Sequence, residues 1–237
     1  MKLAIMQPYF MPYIGYFSLI KHTDEFILFD PVQFIRHGWI ERNRILKPDG
    51  GWQYIQVPLI KDKGRDTLIK DVKINNNENW KQKIIAQLQH YKKKAPYYKN
   101  VIGLLNDIFV SQYEDITHLN RASLGFICSY LGIERRFPIF SEMNLEIEKV
   151  NAPDEWALNI CKALKADSYL NPIGGTDFFD RSKYEKFNIN IQFQRMNIVE
   201  YDQRIGYDFE PALSIIDVLM FNSIEDVNQM LDSFTLE

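Results

Sequence analysis

The chain reads as an α/β protein built on a mainly parallel sheet, with a β extension and a helical insertion, and three features of its 237 residues predict this. Two short apolar runs, residues 2–6 and 25–29, flank a helical stretch at 14–21, the spacing of a crossover that joins parallel strands. Three stripes of helical period fill the middle of the sequence. After them, a helix opened by Pro153 is followed by apolar runs at 168–171 and 190–195, so the α/β rhythm resumes.

Taken in order, the first strand runs into a loop, residues 7–13, that leaves its carboxyl end. In open parallel sheets ligands bind outside those ends, and Asp30 and Gln33 fall at the same edge after the second strand. Residues 33–40 and 53–58 look extended on either side of the turn Pro48, Asp49, Gly50, Gly51, and 70–74 reads as one more strand. Trp80, Ile84, Leu88 and Tyr91 then recur at helical spacing, as do Val101, Leu104, Leu105 and Ile108. Leu119, Ala122, Phe126, Ile127 and Tyr130 mark a third helix stopped by Gly132. These three helices form an insertion, about 79–132, in a single domain of residues 1–237. Helices are expected at 212–221 and 223–231, the second with Ser223 as N-cap.

Composition excludes several classes. With 46% hydrophobic and 25% charged residues the chain is that of an ordinary soluble domain. Its apolar runs fall short of the roughly 18 to 20 residues that span a bilayer, and the amino terminus lacks the long apolar stretch of a secretory signal. A cytoplasmic location without membrane insertion is expected. The net charge of −3 favours no nucleic acid, and Lys92, Lys93 and Lys94 suit a solvated helix end. Cys128 and Cys161 show no metal-ligand spacing and read as buried small hydrophobes, so neither metal nor cofactor is expected.

Three loops carry the chemistry, each after a predicted strand. The first holds Gln7, Tyr9 and Tyr13, with Gly15 at a helix start where free backbone N–H groups would suit an anion; simple packing of the rings against Gly15 is equally consistent. The second is dense in polar side chains: Asp30, Gln33, Arg36, His37, Trp39, Arg42, Asn43 and Arg44. Arg42 and Arg44 alternate, so on an extended segment they share a face and could hold a diphosphate or carboxylates; pairing with Glu41 or Asp49 is the plainer alternative. His37 is the one histidine among these candidates and could accept a proton near neutral pH. The third loop, residues 171–180, contains Gly174 and Gly175, which suit an anion-binding nest or an ordinary turn.

The chain resembles the WbqC-like proteins nearly end to end. The resemblance is carried by QPYFMPYIGYFSLI, by FDPVQF with GWIERNRI, by YLNPIGGTDFFD, and by YDQ followed by FEPALSIIDVLMFNS. It implies a cytoplasmic protein encoded among genes for surface polysaccharides such as O-antigen, acting on activated sugars. On this resemblance Gln7, Tyr9, Gly15, Asp30, Gln33, Arg42, Asn43, Gly174, Gly175, Tyr201 and Gln203 match the family's motifs, while His37 lies between the motif pieces. A fainter likeness is to the pantothenate synthetase and nucleotidyltransferase group, which implies a Rossmann-like core. Tyr13-Ile14-Gly15-Tyr16 stands where that group has His-x-Gly-His, so the likeness reaches the fold but not adenylyl transfer.

The resulting expectation is a transferase of surface-polysaccharide biosynthesis that moves an acyl or aminoacyl group from a carrier-bound donor to the amine of a nucleotide-linked sugar. Asp30 or His37 would take the proton. Arg42 and Arg44 would hold phosphates, and Gln7, Gln33 and Asn43 would read hydroxyls. The alternatives are a nucleotidyl or phosphoryl transferase with a degenerate site, and a non-catalytic sugar-nucleotide binding protein.

Overall fold

Each of the first strands sends alternate side chains to opposite faces, and both faces are apolar. That pattern requires a sheet covered on both sides. The computed structural model, which describes residues 1–60, 66–204, 206 and 208–237, contains such a sheet. Strand β1 (Lys2–Met6) leads through helix α1 (Ile14–Lys21) to β2 (Glu25–Leu28), which pairs with β1 in parallel. An antiparallel hairpin follows, β3 (Arg42–Leu46) and β4 (Trp52–Gln56), in register Arg42 to Gln56 and Arg44 to Tyr54. Its turn needs glycine, because Gly50 and Gly51 sit at φ 94° and 65°.

Helices α2 (Trp80–Gln87), α3 (Tyr98–Val110) and α4 (Ile116–Tyr130) come next, then α5 (Glu155–Ala163) and β5 (Ser168–Pro172). The chain ends with α6 (Arg181–Glu185), β6 (Asn190–Met196), α7 (Ile215–Phe221), α8 (Ile224–Leu231) and β7 (Phe234–Leu236). The sheet order is β2-β1-β5-β6-β7, parallel except for β7. Ala4, Phe26, Leu28 and Leu170 join one apolar cluster, shared with residues of α1, α3, α4, α7 and α8. Leu3, Ile5, Ile27, Tyr169 and Phe193 join the other, under α5 and α6. The predicted mixed α/β architecture with a mainly parallel sheet is therefore present. Among the described residues no helix is long and apolar enough to cross a membrane.

Several predicted elements differ. Residues 33–40 form no strand: Gln33 makes a single bridge to Leu68, the Trp39 carbonyl accepts from Phe10 N, and the Ile40 carbonyl accepts from Asn120. Their hydrogen bonds go to a loop and a helix instead of a neighbouring strand. Residues 70–74 give a 3-10 turn, Ile69–Asp71, followed by isolated bridges. Helix α4 turns Ala122 and Phe126 outward and buries polar Thr117, Asn120 and Ser123. Asn120 is held inside because its amide donates to the carbonyls of Pro8 and Ile40. The predicted start of α7 moves to Ile215, capped by Ser214, whereas Ser223 caps α8 in a full capping box with Asp226.

Candidate functional site

Strand β1 lies between β2 and β5, so successive connections leave it in opposite directions and their loops diverge at its carboxyl end. A crevice is expected there. The structure has a cavity of about 910 Å³ at this place, lined by Met6 at the end of β1, Gln7 beyond it, Phe29 beyond β2, and Asn171 on β5. Tyr9, Val32, Trp156, Gly174, Gly175, Phe178 and Phe179 line it further. The volume is that of a pocket for a small organic ligand. Among the described residues its lining holds no Asp, Glu, Lys or Arg.

The polar groups of the cavity are carboxamides and phenols. Gln7 is fixed at its backbone, where the carbonyl accepts from the Tyr16 hydroxyl at 2.8 Å. Burial, and secondarily the neighbouring Tyr13, raises the Tyr9 phenol above its ordinary pKa. Tyr9 is therefore a neutral hydrogen-bond donor at pH 7. Asn171 donates to the Tyr169 hydroxyl at 2.8 Å, and Tyr169 stacks on Tyr184 at 5.9 Å between ring centroids. Gly175 carries no side chain because a Cβ there would overlap the Asn171 carboxamide and stand 3.2 Å from the Phe179 ring. Gly174 faces open space.

One wall is aromatic and is held by a buried carboxylate. Phe29, Phe140 and Trp156 meet with ring centroids 5.2 to 5.9 Å apart. Asp30 is 1% exposed; its Oδ1 accepts from Ser141 N at 3.0 Å and its Oδ2 from Ser141 Oγ at 2.6 Å. Asp30 thereby ties the 3-10 turn Phe140–Glu142 beside the end of β2. Both of its oxygens are engaged.

The two middle-loop arginines stand elsewhere. Arg42 and Arg44 lie on the outward face of β3 and stack on aromatic rings, and Asn43 turns inward to donate to the Phe10 carbonyl. His37 is exposed at φ 63°, with its N–H on Glu41 and its carbonyl accepting from Arg42. Gln33 is exposed and bridges to Leu68. Tyr13 covers Gly15, since a Cβ on that glycine would overlap the Tyr13 ring. The start of α1 is thus filled by the protein's own side chain. Tyr201 and Gln203 both donate to the buried carboxylate of Asp217. Of the residues singled out in the sequence, Gln7, Tyr9, Gly174 and Gly175 share the cavity.

The model of the WbqC-like protein family matches residues 7–229. The chain belongs to this family. An uncharacterized protein of Mycobacterium tuberculosis, Rv1507c, is 32% identical to it over 228 residues, covering 93% of each chain. No solved structure matches. The family match spans the first, second and third loops together, and of these the first contributes Gln7 and Tyr9 to the cavity and the third Asn171, Gly174 and Gly175. Trp156, Phe178 and Phe179 complete that cavity without having been singled out. Their signal was present in the sequence: Phe178 and Phe179 follow Gly174 and Gly175 in the same loop, and Trp156 sits on the helix that feeds β5.

Proposed function

We propose that this WbqC-like protein is a transferase of surface-polysaccharide biosynthesis whose cavity beyond β1 and β5 receives the sugar end of a nucleotide-linked amino sugar. The observation that carries the reading is the uncharged lining: carboxamides of Gln7 and Asn171 and the Tyr9 phenol, set among aromatic rings. Sugars present hydroxyls and apolar C–H faces, which such a lining matches, whereas a free phosphate would find no cation in it. In the transfer, the sugar amine forms a C–N bond to the acyl carbon of a carrier thioester. The C–S bond breaks, and the proton lost by the amine ends on the departing thiolate, giving an amide and a free thiol. The neutral Tyr9 phenol would donate to the carbonyl oxygen as it gains charge. Asp30, with both oxygens bonded to Ser141, would act as a positioning residue for the cavity wall. His37, exposed outside the cavity, takes no part in this step.

The test is incubation of the protein with nucleotide-linked amino sugars and an acyl or aminoacyl thioester, followed by mass analysis of the sugar. Amide formation that is lost in Tyr9→Phe and Gln7→Ala, with native melting temperatures, is expected. Binding without any amide product for a full donor panel would instead favour the non-catalytic sugar-nucleotide binding protein. Binding unaffected by either substitution would remove the cavity from the reading.

A further inference from the structure

The strand β3 carries two arginines on alternate positions, and the hairpin gives them a common outward face with Trp52 and Tyr54 of β4. Arg42 lies over the Tyr54 ring at 3.9 Å, and Arg44 lies over the Trp39 ring at 5.5 Å and the Trp52 ring at 5.2 Å. Trp52 and Tyr54 touch edge to face at 5.0 Å, so the two stacks are continuous. Each guanidinium is held a second time, Arg42 by the His37 carbonyl and Arg44 by the Ala212 carbonyl at 3.2 Å. Stacking and anchoring fix both forks before any ligand arrives.

Among the described residues neither fork has an anion. Among the described residues no carboxylate forms an ion pair with Arg42 or Arg44, and the Nε–H of each is buried without an acceptor. Glu41, the nearest acid in sequence, turns inward at 2% exposure and accepts from His37 N at 2.7 Å. Two organised cations on one face, about 7 Å apart along the strand, suit an anion, and planar forks match phosphoryl oxygens in pairs.

We infer that Arg42 and Arg44 form a binding site for a diphosphate ester, with the adjoining rings of Trp39, Trp52 and Tyr54 as a platform for whatever the diphosphate carries. This inference stands on the hairpin alone and needs neither the cavity nor the transfer reaction. A nucleotide and a polyprenyl carrier share this chemistry.

Titration calorimetry with inorganic pyrophosphate tests it. Arg42→Gln and Arg44→Gln should each weaken pyrophosphate about tenfold, and the affinity should fall with added salt. Gly174→Leu, in the cavity, should leave it unchanged. Uridine diphosphate binding more tightly than pyrophosphate would assign the ester to a nucleotide, and geranyl diphosphate binding more tightly would assign it to a lipid carrier. If a glutamine variant fails to fold, protection of Arg42 and Arg44 from phenylglyoxal by pyrophosphate in the native protein gives the same information. No pyrophosphate binding by the native protein, undiminished affinity in folded glutamine variants, or no protection of these two arginines would overturn the inference.

Discussion

The Tyr91 hydroxyl donates to Asp217 Oδ1 at 2.6 Å and accepts from Leu46 N at 3.0 Å, joining the turn after α2, the hairpin and α7 at one buried point. Asp217 Oδ2 accepts from the Tyr201 hydroxyl at 2.5 Å and from Gln203 Nε2 at 3.0 Å. Three donors favour the carboxylate, yet burial outweighs them and pushes the Asp217 pKa up to about 6. Between about pH 4 and 6 the folded chain holds this proton longer than the unfolded chain does. Asp217 therefore contributes stability at low pH that is lost as pH rises to about 6 and stays lost above it, by about 3 kcal/mol. Asp167, Asp180 and Asp232, with lowered values, give the opposite slope. The difference in denaturant stability between native protein and Asp217→Asn should consequently change across pH 4–6. A constant difference would count against an ionisable, buried Asp217.

Gly174 and Gly175 separate packing from ligand contact. Gly175→Val should lower stability by about 1–3 kcal/mol through overlap with Asn171 and Phe179. Gly174→Leu adds its side chain to open space at the cavity lining, so the melting temperature should hold within the equivalent of about 0.5 kcal/mol. Nucleotide-sugar affinity should nevertheless fall. Unchanged affinity in Gly174→Leu would place the ligand elsewhere.

Asp30 and Ser141 should behave as one unit. Ser141→Ala removes one of two hydrogen bonds to a buried carboxylate and should destabilise by about 1–3 kcal/mol. Asp30→Ala should loosen Phe140 and with it the Trp156 wall, seen as a red shift of tryptophan emission. The double variant should cost less than the sum of the singles. Additive losses would mean that the two residues act independently.

Burial pushes the thiols of Cys128 and Cys161 up to about 12. Neither should react with iodoacetamide at pH 7.5 in the folded state, because reaction requires thiolate. Both should label in denaturant. Rapid labelling of native protein, read by intact mass, would contradict the packing around α4 and α5.

The amino-acid sequence by itself determined the mainly parallel sheet, the three middle helices, the hairpin turn and the cap at Ser223, because periodicity, glycine and capping act over a few residues. It also placed Gln7, Tyr9, Gly174 and Gly175 beside strand ends, which topology then gathers at one crevice. Only the tertiary structure decided where the remaining polar residues point. Asn43, Asp30 and Asn120 are buried because each finds a distant partner: the Phe10 carbonyl, Ser141, and the carbonyls of Pro8 and Ile40. Tyr201 and Gln203 turn to Asp217 for the same reason. A buried polar group is stable only with its partner, and no local pattern announces a partner that lies, as Ser141 does, 111 residues away.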